Sequence, residues 1–384
     1  MIQRKVYPVV PVLLAIALAG AGCGSKAPAP ADKAASPSAA PASSADATPS
    51  RDPSAIKKEY AELQAQATAE VRAWTSQEGQ NPDPRPLWAK KLEDFADAHP
   101  GTPEAADALA GVMQMRAALF DSQGFFRDFD LMLKLCPDAP GLAAVFPQVS
   151  SMRMAETGGR DVFVTQDLSA KQRAWRRAVP LIVADMNRAI AATSNESTKA
   201  AAEYTIGMGF YQFDVDLGKA LKHFKVVAEQ HPTWTYADSA RQYIREIETL
   251  GPGQPAPDFT AVSLDGRTVG LSSLKGKIVL VDFWATWCEP CLHELPNLKR
   301  AHARFRGKGF TIVGVSADTD KAAVSRFVAR EKMDWPIVMD DPIFKAYSVQ
   351  AIPMSYLIDR SGKIRGRALY GSEVERTVGE LLAQ

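Results

Sequence analysis

The 384-residue sequence predicts a multidomain chain, an all-α domain followed by an α/β domain, and three observations carry that prediction. Residues 56–250 are rich in Ala, Leu and Met at helical spacing, interrupted by short polar breaks. Beyond the break Gly251-Pro252-Gly253-Gln254-Pro255, short β-branched runs alternate with amphipathic stretches. Inside that second part, residues 284–291 (WATWCEPC) stand where a continuous apolar run, residues 277–283 (KIVLVDF), hands over to a helical pattern at 292–305. A chain of this length exceeds what one hydrophobic core usually serves. With 45 Lys+Arg against 44 Asp+Glu and no basic cluster, the sequence gives no electrostatic case for a nucleic-acid partner.

The chain opens on an export signal. Arg4 and Lys5 supply a positive start, residues 9–19 an apolar run too short to span a bilayer comfortably, and small residues lead to Cys23. Cys23, between Ala21-Gly22 and Gly24-Ser25, resembles the lipidated cysteine of a bacterial lipoprotein, with Gly20 where that signal usually carries Leu or another larger aliphatic residue. The other reading is ordinary secretory cleavage near Ala21. Both export the chain, and the lipid reading anchors it to a bacterial membrane on the periplasmic or cell-surface side. Residues 1–22 are therefore assigned to the signal and 23–54 to a tether. That tether is almost entirely Ala, Pro, Ser, Asp, Lys and Thr, and cannot bury enough apolar surface to offset its ordering entropy.

The helical domain, residues 55–250, contains an internal similarity. Residues 95–100 (FADAHP) are followed by Ala105 and Ala108, and residues 227–232 (VAEQHP) by Ala237 and Ala240 at the same spacing. The stretch 201–250, with Tyr204, Gly207, Tyr211, Ala220, Leu221, Phe224, Pro232 and Ala240, resembles a tetratricopeptide repeat, in which small residues let paired helices approach. Two readings stand for such a domain, a spacer or a concave surface for a protein partner. His99 and His231 each precede a proline at a helix end, which favours a structural role over a metal site. Cys136 reads as a buried, unpaired core cysteine.

In residues 251–384, the expected elements are a hairpin (259–264 and 267–271 around Asp265-Gly266) and strands at 277–283, 310–316, 336–339, 354–359 and 364–369. Helices are expected at 292–305, 320–332, 342–347 and 373–382. The cysteine pair sits where a strand meets a helix, whose first N–H groups are unpaired and whose dipole favours a thiolate. Cys288 is the favoured nucleophile, and the more exposed of the two. Cys291, one turn later, is close enough to close a disulfide, and Pro290 at the helix start costs no hydrogen bond.

WATWCEPC preceded by Phe283, the opening segment Pro255-Ala256-Pro257-Asp258-Phe259, and Val349-Gln350-Ala351-Ile352-Pro353 before residues 354–359 (MSYLID) together resemble thioredoxin and, more narrowly, the membrane-tethered TlpA/ResA-like thioredoxins. The resemblance covers about residues 253–384. It implies a thioredoxin fold, a central mixed sheet flanked by helices, and thiol–disulfide exchange with protein dithiols or disulfides through Cys288 and Cys291, with no cofactor beyond that disulfide. A membrane electron donor would recharge the pair. The resemblance places Asp282 at thioredoxin's buried acid, where many TlpA/ResA-like sequences carry Asn, and Glu294 at the active-site glutamate of ResA-like proteins. Both would move protons. Trp287 and the Ile352-Pro353 loop would shape the substrate groove, Ile352 pairing its backbone with an extended peptide. Glu289 lies between the cysteines, where its charge opposes thiolate formation, and His293 reads as surface.

Three other functions compete. Zinc would need two further ligands, whereas Cys23 and Cys136 are isolated. A peroxiredoxin-like peroxidase shares the PAPDF segment, but its peroxidatic cysteine usually follows a Pro and Thr/Ser spacing that this motif lacks. A helical adaptor carrying a thioredoxin-fold scaffold leaves the intact CxxC and Asp282 without a use.

Overall fold

A computed structural model describes residues 52–76 and 82–384. The signal, Cys23 and most of the tether lie outside the described residues, among which no helix is long and apolar enough to cross a membrane. The helical region runs α1 (Pro53–Ser76), α2 (Arg85–Ala98), α3 (Pro103–Leu119), α4 (Ser122–Leu135), α5 (Gly141–Ala144), α6 (Phe146–Gly158), α7 (Leu168–Ala192), α8 (Glu196–Tyr211), α9 (Leu217–Gln230) and α10 (Ala237–Leu250). Five starts follow from side-chain chemistry: Thr102, Asp121, Asp167, Asn195 and Asp216 each accept a hydrogen bond from a first-turn N–H.

The two His-Pro motifs do the same work. His99 and His231 stand just past α2 and α9 with nearly the same backbone, φ −126°, ψ 51° and φ −126°, ψ 52°. The alanines that follow each motif, Ala105 and Ala108, Ala237 and Ala240, are buried in the next helix. Gly207 of α8 meets α9 so closely that a Cβ there would lie 2.7 Å from the Phe224 ring, which explains a glycine in mid-helix. Cys136 is buried and unpaired just past α4.

The second part contains β1 (Thr260–Val262), β2 (Thr268–Gly270), β3 (Ile278–Trp284), α11 (Glu289–Phe305), β4 (Phe310–Ser316), α12 (Lys321–Arg330), β5 (Ile337–Val338), α13 (Asp341–Ala346), β6 (Met354–Ile358), β7 (Ile364–Arg367) and α14 (Ser372–Leu382). The sheet order is β5-β4-β3-β6-β7. β3 is parallel to β4 and antiparallel to β6, so the sheet is mixed. Every residue of β3 is buried, as its unbroken apolar run requires. Ile278, Leu280 and Trp284 pack with α11, α12 and α14, while Val279, Val281 and Phe283 pack with Phe259, Phe344 and Tyr347 on the other face. Strand alternation therefore puts the Asp282 side chain on the α11 face.

Two local details differ from the expected pattern. The β1–β2 hairpin forms a sheet of its own. Residues 251–255, expected as a plain loop, and Ala256 after them pair with the sheet edge: Gly253 N–H donates to Ile364 O at 2.7 Å, Ile364 N–H to Gln254 O at 2.8 Å, and Ala256 N–H to Gly362 O at 2.9 Å. An otherwise open edge is thereby covered. Leu250, the last residue of α10, is buried beside Phe259 and Tyr347, and in return Ala368 and Tyr370, just past β7, are buried in the core of the helical region. The two parts share apolar core at both places.

Candidate active site

The sequence around the cysteines explains their placement. β3 runs out at Trp284, whose carbonyl accepts from Ala317 N–H at 2.8 Å, and residues 285–287 turn the chain into α11. Asp318, two residues past β4, fixes that turn: its carboxylate accepts from Thr286 N–H at 2.9 Å, Thr286 Oγ1 at 2.6 Å and Ser316 Oγ at 2.8 Å. Cys288 is the N-cap of α11, its sulfur accepting from Cys291 N–H at 3.3 Å, so the helix starts three residues before the periodic run suggests. The two cysteines form a disulfide with Cα atoms 5.2 Å apart.

One expectation is corrected here. Cys288 is not the more exposed cysteine, since both are 6 % exposed. In the oxidised protein the pair is shielded as a unit, and the asymmetry lies in the cap: Cys288 sulfur receives the helix N–H, whereas Cys291 is one turn inside. Trp287, immediately before, is 51 % exposed and forms the outer wall.

Behind the disulfide lie two carboxyls. Burial, and then the charge of Glu294, push the Asp282 carboxyl up to about 7. Glu294 is buried on α11; its Oε2 accepts from Gly371 N–H at 2.7 Å and Asn297 Nδ2 at 2.9 Å. Glu294 is therefore no solvated helix residue, while His293 beside it is exposed as read from the sequence.

The Ile352-Pro353 peptide bond is cis. Met354 pairs with Phe283, which sets Pro353 beside the end of β3 that leads into Trp287 and Cys288. Pro353 is buried and Ile352 partly exposed. The loop is held from behind: Tyr370 O–H donates to Pro353 O at 3.3 Å, Ala368 N–H to Ser355 O at 2.9 Å and Leu369 N–H to Ser355 Oγ at 3.2 Å. Asp282, Cys288, Cys291 and Glu294 thus share one side of the sheet, with Trp287, Ile352 and Pro353 at its upper end.

With this geometry in place, comparison with known proteins is decisive. Residues 252–367 match the AhpC/TSA family. The chain is 34 % identical over 140 residues to the thiol-disulfide oxidoreductase ResA of Bacillus cereus, covering 36 % of this chain and 76 % of that protein. The chain belongs to the ResA family of thiol–disulfide oxidoreductases. Its similarity to ResA of Geobacillus thermodenitrificans is 34 % identity over 125 residues, 32 % of this chain and 72 % of that protein. Among solved structures, the thioredoxin domain of a thiol-disulfide oxidoreductase from Bacteroides vulgatus is 34 % identical, covers 35 % of this chain and 99 % of its own, and gives a TM-score of 0.34. The family match begins at residue 252, so α1 to α10 lie outside it.

Asp318 and the turn Arg367–Gly371 were not singled out in the sequence. Asp318 left a faint signal, an acid two residues beyond a strand and facing a Thr before the CxxC. The turn left none, because its partners stand 77 residues away on α11 and further still on the helical region.

Proposed function

We propose that this protein is an exported, membrane-tethered reductase of protein disulfides, anchored through lipid on Cys23 and recharged by a membrane dithiol donor. The observation that carries the exchange chemistry is the Cys288–Cys291 disulfide at the start of α11, with the Asp282 carboxyl buried on the same face of the sheet and poised to exchange a proton near neutral pH. In the reduced enzyme, the Cys288 thiolate attacks one sulfur of the substrate disulfide. A Cys288–substrate bond forms, the substrate S–S bond breaks, and the first substrate thiolate leaves and takes a proton from water. Asp282 then removes the proton from the Cys291 thiol, and the Cys291 thiolate attacks Cys288 sulfur, releasing the second substrate thiolate. Two electrons have moved from the cysteine pair to the substrate, leaving a dithiol product and the Cys288–Cys291 disulfide. Glu294, next to Asp282, supports the same proton traffic. Trp287 and Ile352 bracket the groove in which an extended segment such as that of an apocytochrome would lie, and the helical domain offers a second surface for a protein partner.

The test is a redox titration of the Cys288–Cys291 pair together with alkylation trapping of its steady-state form in cells. A reductase holds the pair mainly as dithiol in vivo with a potential below that of its substrates. A pair found oxidised at steady state, with a potential near those of strong oxidants, would reverse the direction proposed. Mass spectrometry of the mature N-terminus tests the anchor, since an unmodified terminus away from Cys23 rejects it.

A further inference from the structure

The turn between β7 and α14, Arg367 to Gly371, touches both halves of the active site with one side. Tyr370 O–H donates to Pro353 O, Leu369 N–H donates to Ser355 Oγ, and Gly371 N–H donates to Glu294 Oε2 at 2.7 Å. Its other side is seated in the helical region. The Arg367 guanidinium, 3 % exposed, pairs with Glu246 of α10 at 2.7 Å and lies over the Tyr211 ring at 4.7 Å, and Tyr211 O–H donates to the same Glu246 oxygen. The Tyr370 ring packs edge-on to Phe213 at 6.3 Å within the helical core. Beyond the turn, Glu373 of α14 pairs with Arg176 of α7.

Gly371 fixes the fit. It holds φ 59° and ψ −129°, a region open to glycine, and a Cβ there would stand 2.0 Å from Ser169 Oγ of α7. Ser169 of the helical region and the Glu294 carboxylate therefore both bear on the same residue.

We propose that the helical region is a working part of the redox centre, with Arg367, Tyr370 and Gly371 as positioning residues through which α7, α8 and α10 hold the cis-proline loop and the Glu294 carboxylate in place. If the seat shifts, Gly371 N–H leaves Glu294, whose buried charge then keeps only the Asn297 amide on that oxygen. A less satisfied carboxylate beside Asp282 and the cysteines changes the balance between the dithiol and the disulfide, because that balance follows stabilisation of the reduced form. The proposal rests on Cys288–Cys291 being the redox pair and holds for either direction of electron flow.

The experiment uses the whole chain with Ser169→Leu, a change in α7 that leaves every active-site residue in place but fills the space against Gly371. The equilibrium constant of the cysteine pair with glutathione is measured beside circular dichroism and urea unfolding. A shift of about threefold or more in a folded variant is expected, while Ser169→Ala, which keeps the space open, stays at the parent value. An unchanged constant in folded Ser169→Leu overturns the proposal, because a merely structural contact moves the urea midpoint alone. If Ser169→Leu does not fold, Tyr211→Phe takes its place with the same two outcomes, removing one hydroxyl from Glu246 and keeping the ring under Arg367. A parent pair that fails to exchange with glutathione at all would remove the proposed function and this inference together. An active parent with unchanged variants removes only the inference.

Discussion

The strand–helix junction that carries Cys288 and Cys291 and the turn that faces it from Arg367 to Gly371 are built by opposite means. At the junction the sulfurs are placed by local chemistry: β3 ends and Cys288 caps α11, and one contact from further off, Asp318 just past the neighbouring strand β4, staples Thr286. The turn owes its shape to remote groups, Glu246 and Tyr211 on one side and Glu294 on the other. The reactive sulfurs are thus placed by short-range chemistry, whereas the groove and acid behind them are placed by tertiary packing. The difference predicts that mutations at the junction act on chemistry, and mutations at the turn act on stability and on the poise of the pair.

The largest separation should come from the two cysteines themselves. Cys288→Ala removes the attacking thiolate, and insulin reduction should fall to background with no trapped partner. Cys291→Ala leaves the attack and deletes the resolving thiol, so mixed disulfides should accumulate on non-reducing gels. Adducts in Cys288→Ala instead would exchange the two roles and, with them, the reading of the helix cap.

Next in size is the buried ion pair across the two regions. Glu246→Ala takes the carboxylate from an arginine that is almost fully buried, and breaking such a pair costs about 3–5 kcal/mol. The matching surface pair, Arg304 with Glu375, has Arg304 63 % exposed, and Glu375→Ala should cost less than about 1 kcal/mol. Urea unfolding of the two variants side by side measures the contrast. Equal losses would mean that the interface is not the tight seat described here.

These contrasts also explain how much the sequence disclosed. The fold of residues 251–384 was legible because its signals are local: β-branched runs for β3, β4 and β6, Asp-Gly for the hairpin, and a cysteine at a helix start. Cys288, Cys291, Asp282 and Pro353 were legible for the same reason, each lying in or beside a recognisable string. The His-Pro motifs were legible as helix ends because a proline disfavours the helical conformation of the residue before it and offers no N–H to continue the ladder. Burial of Glu294 was not, because α11 presents Leu295, Leu298 and Glu294 to the interior alike, and the charged one finds a partner in the remote Gly371 N–H besides its neighbour Asn297. The union of the two parts was least legible: a Pro/Gly break reads as a linker, yet residues 251–256 pair with β7 and Leu250 is buried.

A third, smaller effect separates the acid from the sulfurs. The Asp282 carboxyl sits at about 7 in the fold against 3.8 when exposed, so the folded protein holds a proton that the unfolded chain has released. Below about pH 4 both states are protonated and the group is neutral to stability. As pH rises from about 4 to 7 stability is lost, and the full penalty, of order 4 kcal/mol as an upper bound, applies above about pH 7. Asp282→Asn should therefore raise stability at about pH 8 by about 1–3 kcal/mol and leave it unchanged near about pH 3.5. Exchange in the same variant should slow, because Cys291 loses the group that takes its proton. A variant that is more stable in mild alkali but as fast as the parent would keep the buried acid and deny it the proton transfer.

The smallest predicted effect tests the local half of the comparison alone. Glu289 is the first residue of α11, exposed, and set between the two cysteines. An acid suits a helix N-terminus, but the same charge opposes a thiolate on the neighbouring Cys288, so the two influences of one carboxylate run against each other. Glu289→Gln should raise the thiolate fraction of reduced Cys288 by less than about fivefold, since charges about 4 Å apart in water interact by only about 1 kcal/mol. The gain should shrink in about 1 M salt, where the screening length is about 3 Å. Rates of iodoacetamide alkylation against pH at low and high salt read this directly. The Ser169→Leu shift, acting through buried groups, should persist in salt, so the two variants separate a surface charge from a tertiary seat. A Glu289→Gln gain above about tenfold, or one that survives high salt, would mean that the residues between the cysteines set the poise of the pair and the remote turn does not.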